Sequence, residues 1–224
     1  MPSRKPDHQL LCEPEEKEAL ELQNQASAFR YVFAFFQDDP QRNPYTRGTL
    51  LELHHMTIAG IFPCMGSFRD ARSDIRIAGA SFAPPPAYRA FLGMIELLDD
   101  ATAARATIAT MLPMQKVQDI SALFHRFTVI HPFNGGNGRV GRALLTLALY
   151  DCGLLSPPEE LFGYVARRRQ HCLNALHSAD AGDMTPLINF FYRGVIDTYV
   201  QRLINVFDVP VRKNRYRAHL RGSR

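Results

Sequence analysis

The sequence predicts a mainly α-helical fold, a bundle of about eight helices with one small β-hairpin. Three observations carry this. Apolar residues recur at three- and four-residue steps along most of the 224-residue chain. A single stretch, between Ser67 and Pro86, alternates apolar with polar residues. Prolines fall at the borders of the periodic segments, where they end or begin helices.

Taken in order, Pro14 to Gln37 reads as a first helix, with Leu20, Ala28, Val32 and Phe35 near helical spacing and Asp38-Asp39-Pro40 as its stop. Thr46 to Ile61 is a second, with Thr46 or Thr49 as N-cap and Leu50, Leu53, His54 and Ile58 on one face. The stretch SFRDARSDIRIAGASFAPPP, where Ile75 and Ile77 alternate with polar residues before Gly79, is the one strand-like region. Tyr88 to Asp100 and Thr102 to Met111 return to helical periodicity until Pro113. Val117 to Ile130 places Ile120, Leu123, Phe124, Phe127 and Ile130 on one face and should be largely buried. Arg139 to Asp151 is an apolar helix stopped by Gly153, and Leu161 to His177 and Pro186 to Asp208 complete the body.

With 46% hydrophobic and 21% charged residues, the chain has the apolar material for a sizeable core. The longest apolar runs stop far short of the roughly 20 residues a membrane span needs, so no transmembrane helix is expected. The N-terminus lacks an apolar signal region, which makes the cytoplasm the expected compartment, with export as an effector left open. Cys12, Cys64, Cys152 and Cys172 show no zinc or disulfide spacing and read as core or surface thiols. The net charge of +4 is concentrated in a tail from Arg212 to Arg224. It reads as a solvated end, and nucleic acid is not the expected partner. His54-His55 and Arg167-Arg168-Arg169 lack ligand spacing and read as packing or solvated-face residues.

The chemistry is concentrated in HPFNGGNGRVGR, residues 131 to 142. Gly135, Gly136 and Gly138 precede a helix whose first turns carry Arg139 and Arg142. Glycines let successive N–H groups converge, and a helix N-terminus adds unpaired donors and about half a positive charge. Guanidinium forks match phosphate oxygens, so the pattern reads as a polyphosphate site. His131 at its entrance is placed to take a proton from an incoming hydroxyl, and Asn137 can cross-bond the loop or reach a phosphate oxygen. The loop is neither a Walker loop, since no GK(S/T) follows, nor a dinucleotide fingerprint, since no strand precedes it.

This segment resembles the signature of the Fic family, HPFx(D/E)GNGRxxR, at His131, Pro132, Phe133, Gly136, Asn137, Gly138, Arg139 and Arg142. The likeness extends more weakly to the Ser67 to Pro86 stretch, similar to the family's flap, and to LINFFYRGV, similar to its late helix. It implies a Fic-type helical bundle over residues 46–208, with an N-terminal helical extension over 1–45 and a basic tail over 209–224. It also implies a protein adenylyltransferase that moves AMP from ATP onto a Tyr, Thr or Ser hydroxyl of a target protein. By the same resemblance His131 is the general base. Asn134, Gly135, Gly136, Asn137, Gly138, Arg139 and Arg142 hold the nucleotide phosphates, and Arg72, Ile75, Ile77 and Gly79 belong to the target-docking flap.

The chain departs from the family at Gly135, where the family carries the acid that binds Mg2+. No protein metal ligand is therefore expected. Three readings stay open: Mg2+ held by phosphates and water alone, metal-independent transfer of another nucleotide or of phosphate, and a degenerate module that binds nucleotide or a partner without efficient transfer. The family's inhibitory string, (S/T)xxxE(G/N), does not occur in the sequence. A separate inhibitor or antitoxin chain, or a different mode of regulation, is implied.

Overall fold

The computed structural model describes residues 10–37, 39–70, 75, 77, 83–155 and 159–207. They form helices α1 (Pro14–Ala34), α2 (Arg47–Ile58), α3 (Ala87–Thr110), α4 (Pro113–Ile130), α5 (Asn137–Asp151), α6 (Glu159–Arg167), α7 (Arg169–Asp180) and α8 (Thr185–Phe207). The helical bundle predicted from the sequence is what forms.

At the centre lies α5, which packs against α1, α2, α4 and α6. Its residues from Ala143 to Leu149 are all buried, as a helix apolar on every side requires. Gly141 lets α4 approach, since a Cβ there would lie 3.2 Å from the Phe127 ring. Helix α4 buries Val117, Ile120, Phe124 and Phe127 at three- and four-residue steps, matching the predicted face. Thr46 caps α2 by accepting from the Thr49 N–H at 3.0 Å, and Asn24 of α1 donates to Ala59 O at 2.8 Å just past the end of α2. Gly153, at φ 75, stops α5, and the N–H groups of Leu154 and Leu155 both return to Leu149 O.

Apart from shifts of up to four residues at helix ends, two divisions of the chain differ from expectation. The two helices expected over residues 88–100 and 102–111 form the one continuous helix α3, because the polar Asp99-Asp100 pair is exposed on its surface and no proline or glycine lies between Asp99 and Thr110. Residues 161–177 divide at Arg168, whose φ of −112° and ψ of 33° leave the helical region. The break lets α6 pack on α5 and α8 while α7 lies along α8.

In the expected hairpin, Arg72 and Gly79 lie outside the described residues, while Ile75 and Ile77 are in irregular chain. Among the described residues there is no strand. The tail at 209–224 and residues 1–9 of the N-terminal extension also lie outside the described residues. No described helix is long and apolar enough to cross a membrane. Cys64, Cys152 and Cys172 are buried, and burial pushes the Cys152 and Cys172 thiols up to about 11.

Candidate active site

Helix α4 delivers His131 to the start of the glycine loop as its C-cap, at φ 49 and ψ 62. Among the described residues it is the one non-glycine with a left-handed backbone. That conformation costs roughly 1 kcal/mol and turns the chain sharply out of the helix. The His131 N–H still donates to Phe127 O at 3.1 Å. Its Nδ1 lies 3.2 Å from Thr128 O, and a carbonyl can only accept, so the proton sits on Nδ1 and, among the described residues, nothing engages the Nε2 lone pair. Burial first, and then the Arg69 charge, hold the imidazole below its ordinary 6.5, with the Thr128 carbonyl pulling the other way. A neutral base at pH 7 follows.

The loop behind it is braced from inside. Phe133 is fully buried, and its ring stacks on His54 with centroids 3.8 Å apart and on Phe68 at 5.3 Å. Asn137 accepts from the Phe133 N–H at 3.0 Å and donates to Phe133 O at 2.8 Å. Its side chain is thus committed to the loop's shape rather than offered to a phosphate. Gly136, at φ 76, is the N-cap of α5. A Cβ there would lie 2.6 Å from Ile58 Cγ2, so only glycine fits. The Arg139 N–H turns back to Gly136 O at 2.9 Å. Asn137 and Gly138 are the first two residues of α5, so their N–H groups have no acceptor within the helix and face out of its positive end.

The two arginines separate. Arg139 donates to Thr57 O and to Glu21 Oε1 of α1, both at 2.7 Å, and so holds α1 and α2 to α5. Of the two guanidinium groups expected to hold phosphate, that of Arg139 has protein partners at the junction of α1 and α2. The Arg142 Nη1 lies 3.6 Å from where a Cβ on Gly138 would sit, so its half-buried guanidinium folds over the first turn of α5. Burial and the neighbouring charges of Arg139 and Arg169 lower its pKa, the mark of an electropositive corner suited to an anion. Asn134 Oδ1 is buried in the loop.

Gly135 needs no glycine backbone, and a Cβ there would meet Phe62 at an ordinary 3.7 Å. It offers no side-chain oxygen, and Glu21 is already held by Arg139. Among the described residues no group of three His, Cys, Asp or Glu comes together. The side chains here do not fit a protein-ligated Mg2+.

Three residues of the site carry no sequence motif. His54, from the second helix, is fully buried and donates from Nε2 to Gly135 O at 3.2 Å. Arg69 is 6% exposed and bonds the carbonyls at the end of α4. Glu21 pairs with Arg139 from 118 residues away.

Burial drives His54 down to about 4, so the folded chain cannot take up the proton that the unfolded chain binds near 6.5. The stability present above pH 6.5 is therefore lost as pH falls toward 4, by about 2 kcal/mol at pH 5. Thermal melting from pH 7.5 to 5 should show this fall, with a shallower one in His54→Asn. A flat Tm would contradict the buried neutral imidazole.

A model of the Fic/DOC family matches residues 44–149. The chain carries a Fic domain. This Fic domain is 38% identical, over 115 residues, to a probable protein adenylyltransferase of Aquifex aeolicus. The match covers 50% of this chain and 30% of that protein. A Fic family protein from Desulfovibrio desulfuricans shares the fold with a TM-score of 0.67 at 23% identity, over 88% of this chain and 56% of that one. Fic-1 of C. elegans does so with a TM-score of 0.60 at 19% identity, over 92% and 53%. The chain thus spans about half the length of these two structures, and their likeness establishes the fold of the Fic domain.

Proposed function

We propose that this chain is a protein adenylyltransferase, transferring AMP from ATP to a Tyr, Thr or Ser hydroxyl of a target protein. The observation that carries the reading is the bare Nε2 of a neutral His131 at the mouth of an amide-lined helix N-terminus. The family to which the Fic domain belongs and the adenylyltransferase name of the Aquifex relative support it.

In this reading the polyphosphate lies on the Asn137 and Gly138 N–H groups and the Arg142 guanidinium. The target hydroxyl gives its proton to His131 Nε2 while its oxygen bonds to the α-phosphorus. The bond from that phosphorus to the bridging oxygen breaks, and pyrophosphate leaves. Arg142 and the helix dipole stabilise the charge that develops on the phosphoryl oxygens. Arg139 contributes by holding the helices together.

Incubating the purified chain and cell lysate with α-labelled ATP, GTP, UTP or CTP, with and without EDTA, tests this. Protein labelling from ATP is the expected result. Labelling from another donor moves the substrate assignment, and γ-label transfer would make the chain a phosphotransferase. A second reading, nucleotide binding without transfer, is favoured by Gly135 alone. Because a Cβ fits there, Gly135→Asp should fold normally and raise Mg2+-dependent labelling by about tenfold. Unchanged activity and metal response would refute the view that a missing carboxylate limits the site.

A further inference from the structure

Arg69 sits in no helix, yet it is 6% exposed, and it bonds to four carbonyl oxygens. Its backbone N–H donates to Pro132 O at 3.0 Å. Its Nε donates to His131 O at 2.8 Å, and its Nη2 to Ile130 O at 3.4 Å and to Pro85 O. Three of these acceptors belong to consecutive residues at the end of α4. There the helix leaves its carbonyls without intrahelical donors, and its dipole is negative. Among the described residues no carboxylate pairs with this guanidinium. Burying a cation against carbonyls, its partners among the described residues, gains less than an ion pair would, so the arrangement is poorly explained as a device for stability alone.

We propose that Arg69 is the positioning residue of the catalytic base. It clamps the His131 carbonyl so that the backbone stays left-handed and the imidazole stays aimed at the α5 N-terminus, and it pins Pro85 to the same point. This rests on the reading of His131 as the base.

The geometry makes the clamp specific. Rotating His131 back into the helical region would swing its carbonyl away from Arg69 Nε, so the 2.8 Å bond and the left-handed φ of 49° stand or fall together. Phe68, next in sequence, stacks on Phe133 two residues beyond the base and meets Phe91 edge-on at 5.8 Å. Residues 68 and 69 therefore hold both sides of the turn that His131 begins. Residues 69 and 85 are brought together beside the imidazole, which fixes both ends of the chain between them relative to the base. Arg69 is the charged side chain acting on His131, against the Thr128 carbonyl at Nδ1. Glu21 of α1, His54 of α2 and Arg139 and Arg142 of α5 are the site's other titratable groups; Glu21 pairs with Arg139, and His54 bonds to Gly135 O.

Arg69→Met and Arg69→Lys in the full chain test the proposal, with circular dichroism to verify folding and nitrogen-15 histidine NMR to follow His131 directly. In the wild type the His131 signal should report the Nδ1-protonated tautomer. In Arg69→Met that tautomer should lose dominance and the midpoint should rise toward 6.5. Arg69→Lys keeps the charge but not the fork, so its midpoint should stay low while the tautomer still degrades. For transfer, both variants should lose about 100-fold in kcat, with the nucleotide KM and the Kd for ATP held within about twofold. Unchanged His131 tautomer and titration in folded Arg69→Met would overturn the proposal. Failure of both variants to fold would also overturn it, assigning Arg69 to the fold alone. If the wild type transfers nothing, the adenylyltransferase reading fails, while the NMR arm still decides whether Arg69 sets the imidazole.

Discussion

Replacing His131 with asparagine or alanine should lower protein labelling by about 10²- to 10⁴-fold, the usual contribution of a positioned general base. The Kd for ATP should stay within about twofold. The two effects separate because the imidazole and the amides proposed to hold the phosphates belong to different elements: His131 closes α4, while Asn137 and Gly138 open α5. Asparagine is the more informative replacement, since it accepts the left-handed backbone that His131 adopts and removes only the proton acceptor. The wild-type pH profile of kcat/KM should have its acid limb below 6.5, because burial and Arg69 hold the group low, and that limb should vanish in the residual activity of the variant. Wild-type labelling by His131→Asn, or an ATP affinity that collapses with it, would remove His131 from the role of base.

Gly136→Ala should be the most damaging single methyl in the loop. The added Cβ would sit 2.6 Å from Ile58 Cγ2, and Ile58 is fully buried in α2 with no room to retreat. The strain of φ 76 on an L-residue adds roughly 1–2 kcal/mol. Overpacking at a buried contact adds roughly 1–3 kcal/mol. A loss of about 4 kcal/mol is expected, enough to unfold a marginal domain at 37 °C. Urea unfolding measures it. Gly135→Ala is the internal control: it is one residue away, has no left-handed backbone, and its Cβ would meet Phe62 at 3.7 Å, so its cost should stay below about 1 kcal/mol. Equal costs at the two positions would show that the loop relaxes more freely than the packing around Ile58 allows.

The features legible in the sequence were those written in local spacing. The buried face of α4, the all-apolar α5, the Thr46 cap and the Gly153 stop all follow from residues within a turn or two of one another. The loop was legible for the same reason, since three glycines and a helix start lie within one short run. What stayed hidden was long-range pairing. Arg139 and Arg142 share a spacing that suggests one role, yet Glu21, far away in α1, draws Arg139 to the helix junction. His54 looked like a packing residue in an ordinary helix, and its bond to Gly135 O spans 81 positions. Arg69 falls in the stretch read as the flap, and nothing nearby marks it as an arginine that will be buried against carbonyls at 85 and 130–132. The helix count was anticipated, but through two compensating differences: one expected break is absent between Asp100 and Thr102, and one unexpected break occurs at Arg168.

Whether a polyphosphate sits at the start of α5 beside His131 is decided by a crystal structure of the full chain with a non-hydrolysable ATP analogue. Phosphate oxygens should lie within hydrogen-bond distance of the Asn137 and Gly138 N–H groups and of Arg142, with His131 Nε2 facing the α-phosphorus. An analogue bound away from the start of α5, or an Nε2 engaged by the protein and turned from the phosphates, would contradict it.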